Sequence, residues 1–399
     1  MLVLKASIFF GIVVIATAYP QPKLHSDAGL NALELIEKYE YPIERHNVVT
    51  DDGYILEMHR IPHGRTNAGM QNKEPVLVMH GLLSSSADWV NFGEKSLGFI
   101  LADLGYDVWL GNARGSRWSR KHVRLSPDYN QSEYWSFSWN EIGKYDLPAK
   151  IDYIINNTGH KKIFYIGHSQ GTTSFWVMGS ERPEYNDKIR LMAALGPVAY
   201  MQNLHNPTAQ EASENIETIQ SLIEAFGLHE FLPYSENTTS LGIELCDDGS
   251  ELQEACLDAI FMICGPDPDQ LDPSLLPVIW TNIPAGTSSK QFLHYAQGIK
   301  SGIFRQFDYY SDEKNNAMYG QPTPPNYDLS KVKAPVALYY GKNDWLAAVK
   351  DVEQLSEELG NVVVDHLIEY EHFNHLDFLW GRDVYDMVYE QLLDLMKKY

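Results

Sequence analysis

The apolar run Ile163-Phe164-Tyr165-Ile166 leads directly into Gly167-His168-Ser169-Gln170-Gly171, and a helical pattern follows from Thr172. An apolar strand, a Gly-x-Ser-x-Gly turn and a helix form the context of a nucleophile elbow, in which the serine hydroxyl stands above a strand end. Glycines on both flanks allow the turn to be tight. The plain alternative is a βα turn with an incidental serine; strand before and helix after favour the elbow.

Outward from the elbow, short apolar runs recur: Pro75–Met79, Asp107–Leu110, Leu191–Leu195, Pro335–Tyr340 and Val362–Ile368, with a further strand at Tyr54–Ile61 after the turn Asp51-Asp52-Gly53. Runs of this kind suit buried parallel strands. Helical patterns lie between them at 96–104, 141–156 and 172–180, and a short one at 31–39 precedes them. Such alternation predicts an α/β chain with a mostly parallel sheet covered on both faces. It stops between Leu195 and Pro335 and then resumes, so residues 196–334 read as a helical insertion within one domain spanning 19–399. Helices are expected there over 209–226, 251–263 and 290–301.

A serine hydroxyl needs a base to become a nucleophile. Behind an elbow, the acid and then the histidine follow on loops after later strands. Asp344 stands just past the run ending at Tyr340, and His375 stands past the run ending at Ile368. Asp351 and Asp365 compete for the acid role, but the first falls in a helix and the second inside a strand. His366 also falls in a strand, and position favours His375 over His372. His80-Gly81-Leu82-Leu83 closes the strand 75–79, where a loop supplies oxyanion donors. The expected donors are the backbone N–H groups of Leu82 and of Gln170.

The chain has 399 residues and a formal net charge of −22, with 44 % hydrophobic residues. That composition fits a folded enzyme-sized chain, and the negative charge argues against a nucleic-acid partner. Fifteen carboxylates and no Lys or Arg lie between Arg190 and Lys290. Residues 1–18 combine Lys5, the apolar run Ile8–Ile15 and Ala16-Thr17-Ala18, which reads as a secretory signal peptide. No later segment is long and apolar enough to span a bilayer. Sequons at Asn130, Asn156 and Asn237 agree with secretion. Of Cys246, Cys256 and Cys264, an oxidising compartment favours one bridge and one leftover thiol, and spacing does not choose the pair. Gly111-Asn112-Ala113-Arg114-Gly115 lacks the Lys-Ser/Thr end of a phosphate loop, and no metal-ligand spacing appears, so neither cofactor nor metal is expected.

Taken in order, Thr50-Asp51-Asp52-Gly53-Tyr54-Ile55-Leu56, His80-Gly81-Leu82-Leu83, Gly105 to Asn112, Gly167 to Gly171 and His375-Leu376-Asp377-Phe378 make the chain from about Ala28 onward resemble the acid lipase family, that of gastric and lysosomal acid lipases. The resemblance implies an α/β-hydrolase fold and a lipase that hydrolyses fatty-acid esters of neutral lipids such as triacylglycerol, secreted or lysosomal. It implies Ser169, Asp344 and His375 as triad, Leu82 and Gln170 as oxyanion donors, and a Cys246–Cys256 disulfide with Cys264 free. It makes the 196–334 insertion a cap and lid, with Phe226, Leu228, Phe231, Leu232 and Phe261 as candidates to line the acyl site. A sterol-ester hydrolase or soluble carboxylesterase with the same triad is the alternative; a non-enzymatic lipid-binding protein would usually lack a triad member. The acidic cap suggests a further expectation: repulsion from anionic lipid at neutral pH, relieved as carboxylates neutralise toward pH ~4.

Overall fold

Five-residue apolar runs hide both faces only in the middle of a sheet, and there the chain puts them. The computed structural model describes residues 24–399; the leader read at 1–18 lies outside them. Its strands are β1 (Glu44–Val49), β2 (Tyr54–Ile61), β3 (Pro75–Met79), β4 (Asp107–Gly111), β5 (Lys121–His122), β6 (Ile163–His168), β7 (Ile189–Leu195), β8 (Glu230–Phe231), β9 (Thr287–Ser288), β10 (Val336–Tyr340) and β11 (Val362–Leu367). The main sheet runs β1-β2-β4-β3-β6-β7-β10-β11, with β5 added to β2. From β4 to β11 neighbouring strands are parallel; β2 is antiparallel to both β1 and β4.

Side chains alternate across this sheet with the two-residue period of a strand. Leu77, Tyr165, Met192 and Leu338 join one core, and Val78, Ile166, Ala193 and Tyr339 join the other. Both faces are therefore covered, the arrangement of an α/β-hydrolase. From β3 the chain moves outward to β4, and from β6 it moves the opposite way to β7. That reversal places a crevice at the carboxyl ends of β3 and β6.

Between β7 and β10, seven α-helices and the β8–β9 ribbon are present among the described residues. The helix expected over 209–226 is two helices, Pro207–Glu214 and Ile216–Phe226, interrupted at Asn215. The helix expected over 141–156 opens with a wide turn at Ile142–Asp146 and ends at Gly159, whose φ of +75° terminates it. Strand β1 escaped the sequence reading because Glu44-Arg45-His46-Asn47 lies on an edge and needs little apolar character.

The Thr50–Leu56 and Gly111–Gly115 motifs meet at one buried cation. Arg114 is 1 % exposed. Its Nη1 and Nη2 donate to Asp52 at 2.6 and 2.9 Å, and its Nε donates to Asp146 at 2.7 Å. The guanidinium also lies 4.0 Å from the centre of the Tyr54 ring. Removing one partner of a buried pair strands the other charge, at a cost of about 3–5 kcal/mol. Arg114→Met should therefore lower unfolding stability in urea by about that amount, because Asp146 is fully buried. A loss below about 1 kcal/mol, the size of an exposed pair, would contradict this role.

Candidate active site

Ser169 connects β6 to the helix Gln170–Glu181 and has φ 52° and ψ −116°. A non-glycine residue there is strained and must be held by its surroundings. The Ser169 N–H donates to the Leu195 carbonyl of β7 at 3.0 Å, and the Ser169 carbonyl accepts from the N–H of Thr172 at 2.8 Å. The flanking glycines serve close approach, not positive φ. A Cβ on Gly167 would come within 2.9 Å of the Gly171 carbonyl carbon, and one on Gly171 would strike the Met79 carbonyl oxygen of β3.

Asp344 follows β10 and is fully buried. One carboxylate oxygen accepts the N–H groups of Leu346 and Ala347 at 2.9 and 2.7 Å. The other lies 2.7 Å from Nδ1 of His375, on the loop after β11. With Nδ1 protonated toward that carboxylate, Nε2 is left as a proton acceptor. It is buried and has no partner among the described residues. The competing groups lie elsewhere: Asp351 binds Asn203, Asp365 binds Tyr340 and Ser356, and His366 packs on Tyr339. His372 is exposed.

Leu82 and Leu83 follow β3, beside the elbow in the sheet. His80 fixes that loop: its Nδ1 lies 2.7 Å from the Gly81 carbonyl, and its Nε2 accepts the Ala113 N–H at 3.0 Å. Burial pushes His80 down to about 4, so it stays neutral in this pairing. Gln170 is the first residue of its helix, where a backbone N–H has no acceptor within the helix.

A cavity of about 380 Å³ opens onto Ser169, Leu82 and Leu83, and its other walls include Met201, Phe231, Met262 and Phe292. Of the five residues expected to line an acyl site, Phe231 lines this cavity. Phe226, Leu228 and Leu232 are exposed, and Phe261 packs against the sheet core.

Three supporting residues were missed in the sequence. Gly196 follows β7 with φ +58°, and a Cβ there would lie 3.1 Å from the His375 ring and 3.3 Å from Asp344. His168 Nε2 donates to the His375 carbonyl at 2.8 Å. Asn374 accepts the N–H groups of Leu376 and Asp377 and donates to the Gly265 carbonyl. Each is legible only once the loop it supports is known. Cys246 and Cys256 form a disulfide, and Cys264 is free and buried. Asn130, Asn156 and Asn237 are all exposed.

Residues 32–93 match the model of a partial α/β-hydrolase lipase region, and residues 74–237 match that of the α/β-hydrolase fold. Lipase 3 of Drosophila melanogaster is 48 % identical, the alignment covering 94 % of this chain and 93 % of that one. Human lysosomal acid lipase/cholesteryl ester hydrolase is 42 % identical, covering 94 % and 92 %. Bovine gastric triacylglycerol lipase is 41 % identical, covering 93 % and 92 %. The chain belongs to the acid lipase family. This acid lipase is a carboxylic ester hydrolase. Solved structures share its fold at low identity: Bacillus subtilis carboxylesterase CesB has a TM-score of 0.51 at 12 % identity, covering 91 % of this chain and 94 % of its own.

Next to the acid lipase's His375, Asp377 is buried beside the equally buried Asp267. Tyr370 donates to Asp267 at 3.1 Å, and the Asn374 N–H donates to Asp377 at 2.6 Å. Burial, with the neighbouring Asp267 charge, pushes Asp377 up to about 8. Between ~4, where an unfolded Asp titrates, and about 8 the folded chain holds a proton that the unfolded chain has lost. Stability from this group is therefore complete at acid pH and falls as pH rises through that window. Tm measured from pH 4.5 to 8 should decline, and Asp377→Asn should flatten the decline. An unchanged slope in that variant would remove the pair as its source.

Proposed function

We propose that this acid lipase hydrolyses fatty-acid esters of neutral lipids, triacylglycerol foremost, through Ser169, His375 and Asp344. The observation that carries the proposal is the strained serine facing an apolar cavity, at the same sheet edge as an imidazole bound to a buried carboxylate. His375 Nε2 takes the Ser169 hydroxyl proton as Oγ bonds to the ester carbonyl carbon. The backbone N–H groups of Leu82 and Gln170 hold the resulting oxyanion, each contributing about 3 kcal/mol of transition-state stabilisation. Asp344 holds the imidazole in its tautomer and stabilises its charged form. As the ester C–O bond breaks, His375 returns the proton to the leaving alcohol. Water then gives a proton to His375 and attacks the acyl carbon; the fatty acid leaves and Ser169 recovers its proton.

Residues 196–334 act as the cap over this site, and their apolar residues Met201, Phe231, Met262 and Phe292 hold the acyl chain. Sterol esters are the second reading, favoured by the double name of the human relative. Turnover on emulsified triacylglycerol, cholesteryl ester and a dissolved short-chain ester separates the readings. The disulfide and three exposed sequons support passage through the secretory pathway, to the exterior or to lysosomes.

Ser169→Ala should lower ester hydrolysis by at least ~10⁴-fold while leaving the unfolding curve in place. Retained turnover would refute the nucleophile. The cap also exposes Leu222, Phe226, Leu228 and Met262 among carboxylates such as Glu217 and Glu224. A smaller negative charge on this surface lowers the cost of approach to an anionic one. Binding to vesicles containing phosphatidylserine should therefore be tighter at pH 5 than at pH 7.5. Equal binding at both pH values would reject the acidic cap as a gate.

A further inference from the structure

The residue after the nucleophile has two jobs to reconcile. Its N–H must aim at the oxyanion, and its side chain must find a place in a buried site. Gln170 is 3 % exposed, and its Nε2 donates to Oε1 of Gln291 at 3.0 Å. Its own Oε1 has no partner among the described residues. Gln291 is thus the one side-chain anchor of Gln170 among those residues.

Gln291 is itself fixed. It is 2 % exposed and lies in the first turn of the helix Ser289–Ser301. Its N–H donates to Ser288 Oγ at 3.1 Å, and its Nε2 donates to Thr287 Oγ1. Ser288 Oγ in turn donates to the Phe137 carbonyl at 2.5 Å. The same helix presents Phe292, Tyr295, Ala296 and Ile299 to the cavity, the 3- and 4-residue spacing of one helical face. Phe292 stacks on Phe231 with ring centres 5.2 Å apart. One helix therefore both walls the acyl cavity and holds the residue that carries an oxyanion donor.

We infer that Gln291 is a positioning residue for the oxyanion site, acting through the Gln170 side chain to hold the Gln170 N–H on target and to couple the cap helix to catalysis. The inference rests on the reading of Ser169 as nucleophile and Gln170 N–H as oxyanion donor. An oxyanion donor acts chiefly on the transition state, so its misplacement lowers kcat more than it raises KM. A side chain that only supported packing would instead lower Tm and the number of active sites.

The test measures kcat and KM on p-nitrophenyl butyrate, with active sites counted by fluorophosphonate labelling at completion. Gln291→Leu should lower kcat per labelled site about tenfold, a fraction of the loss from deleting a donor outright, with KM within about twofold. Gln291→Glu keeps an acceptor for Gln170 and should retain most of kcat. Gln170→Met cuts the same bond from the other side and leaves the backbone N–H, so it carries the test if Leu is not tolerated at 291. The double variant should be no slower than the slower single one, because both remove one interaction. Wild-type kcat in Gln170→Met or Gln291→Leu, or losses that multiply in the double variant, would overturn the inference. Ser169→Ala separates the cases: if it is inactive while these variants are unaffected, the positioning role alone fails; if it stays active, the underlying reading fails.

Discussion

The backbone of Ser169 is the constraint on which the site depends. A serine at φ 52° is unfavourable by about a kcal/mol or more, and it persists because two strands and a helix turn over-determine it. β7 holds its N–H, the following helix turn holds its carbonyl, and β3 approaches so closely at Gly171 that a side chain there has no room. The loop after β3 also lies against the elbow: a Cβ on Gly81 would come 3.2 Å from the Ser169 Cβ. The turn at Ser169 is thus held in part by one close contact between β3 and the start of the helix that follows β6.

A second contact joins the His375 loop to the 196–334 segment. The Cys264 carbonyl, at the end of the helix Gln253–Cys264, accepts N–H groups from both Trp345 and His375. The next carbonyl, that of Gly265, accepts from Asn374, and Asn343 donates to the Pro266 carbonyl. One segment of the insertion therefore touches the loop of Asp344 and the loop of His375. Gln291 makes a corresponding tie to Gln170, beside Ser169. The helix Ile216–Phe226 lies outside these ties and packs through the buried Ile216 on Leu293 and Ala296 of the helix Ser289–Ser301.

Most of the sheet was legible in the sequence because buried parallel strands are written as unbroken apolar runs, and the elbow because its chemistry is local. The edge strand β1 was not, since four of its six residues are exposed. The acyl wall was misread for a related reason. Phe226 and Phe292 are equally apolar, but one points outward at 71 % exposure and the other lines the cavity. Helical period identifies a face, and only the tertiary arrangement says which way it looks. Gln291 and Gly196 were hidden because each matters through a partner more than 100 residues away, and a lone Gln or Gly carries no pattern. The resemblance supplied what spacing left open in the Cys246–Cys256 pair.

The acidity of the chain divides into two effects of different reach. Fifteen carboxylates crowd a base-free stretch, and among the described residues only Glu217, Glu230 and Asp272 find ion-pair partners, all outside it. Most of the others sit in water, where repulsion is screened beyond about 10 Å at ordinary salt. Their collective action is on surfaces that approach the cap. Asp267 and Asp377 are different. They are buried together two residues from His375, where screening is weak and a second ionisation must be borne by the fold itself. In the proposed reading the surface carboxylates act on docking, and the buried pair acts on the stability of the folded chain. Both favour acid conditions, but salt weakens only the first, so ionic strength separates them in a way that pH alone does not.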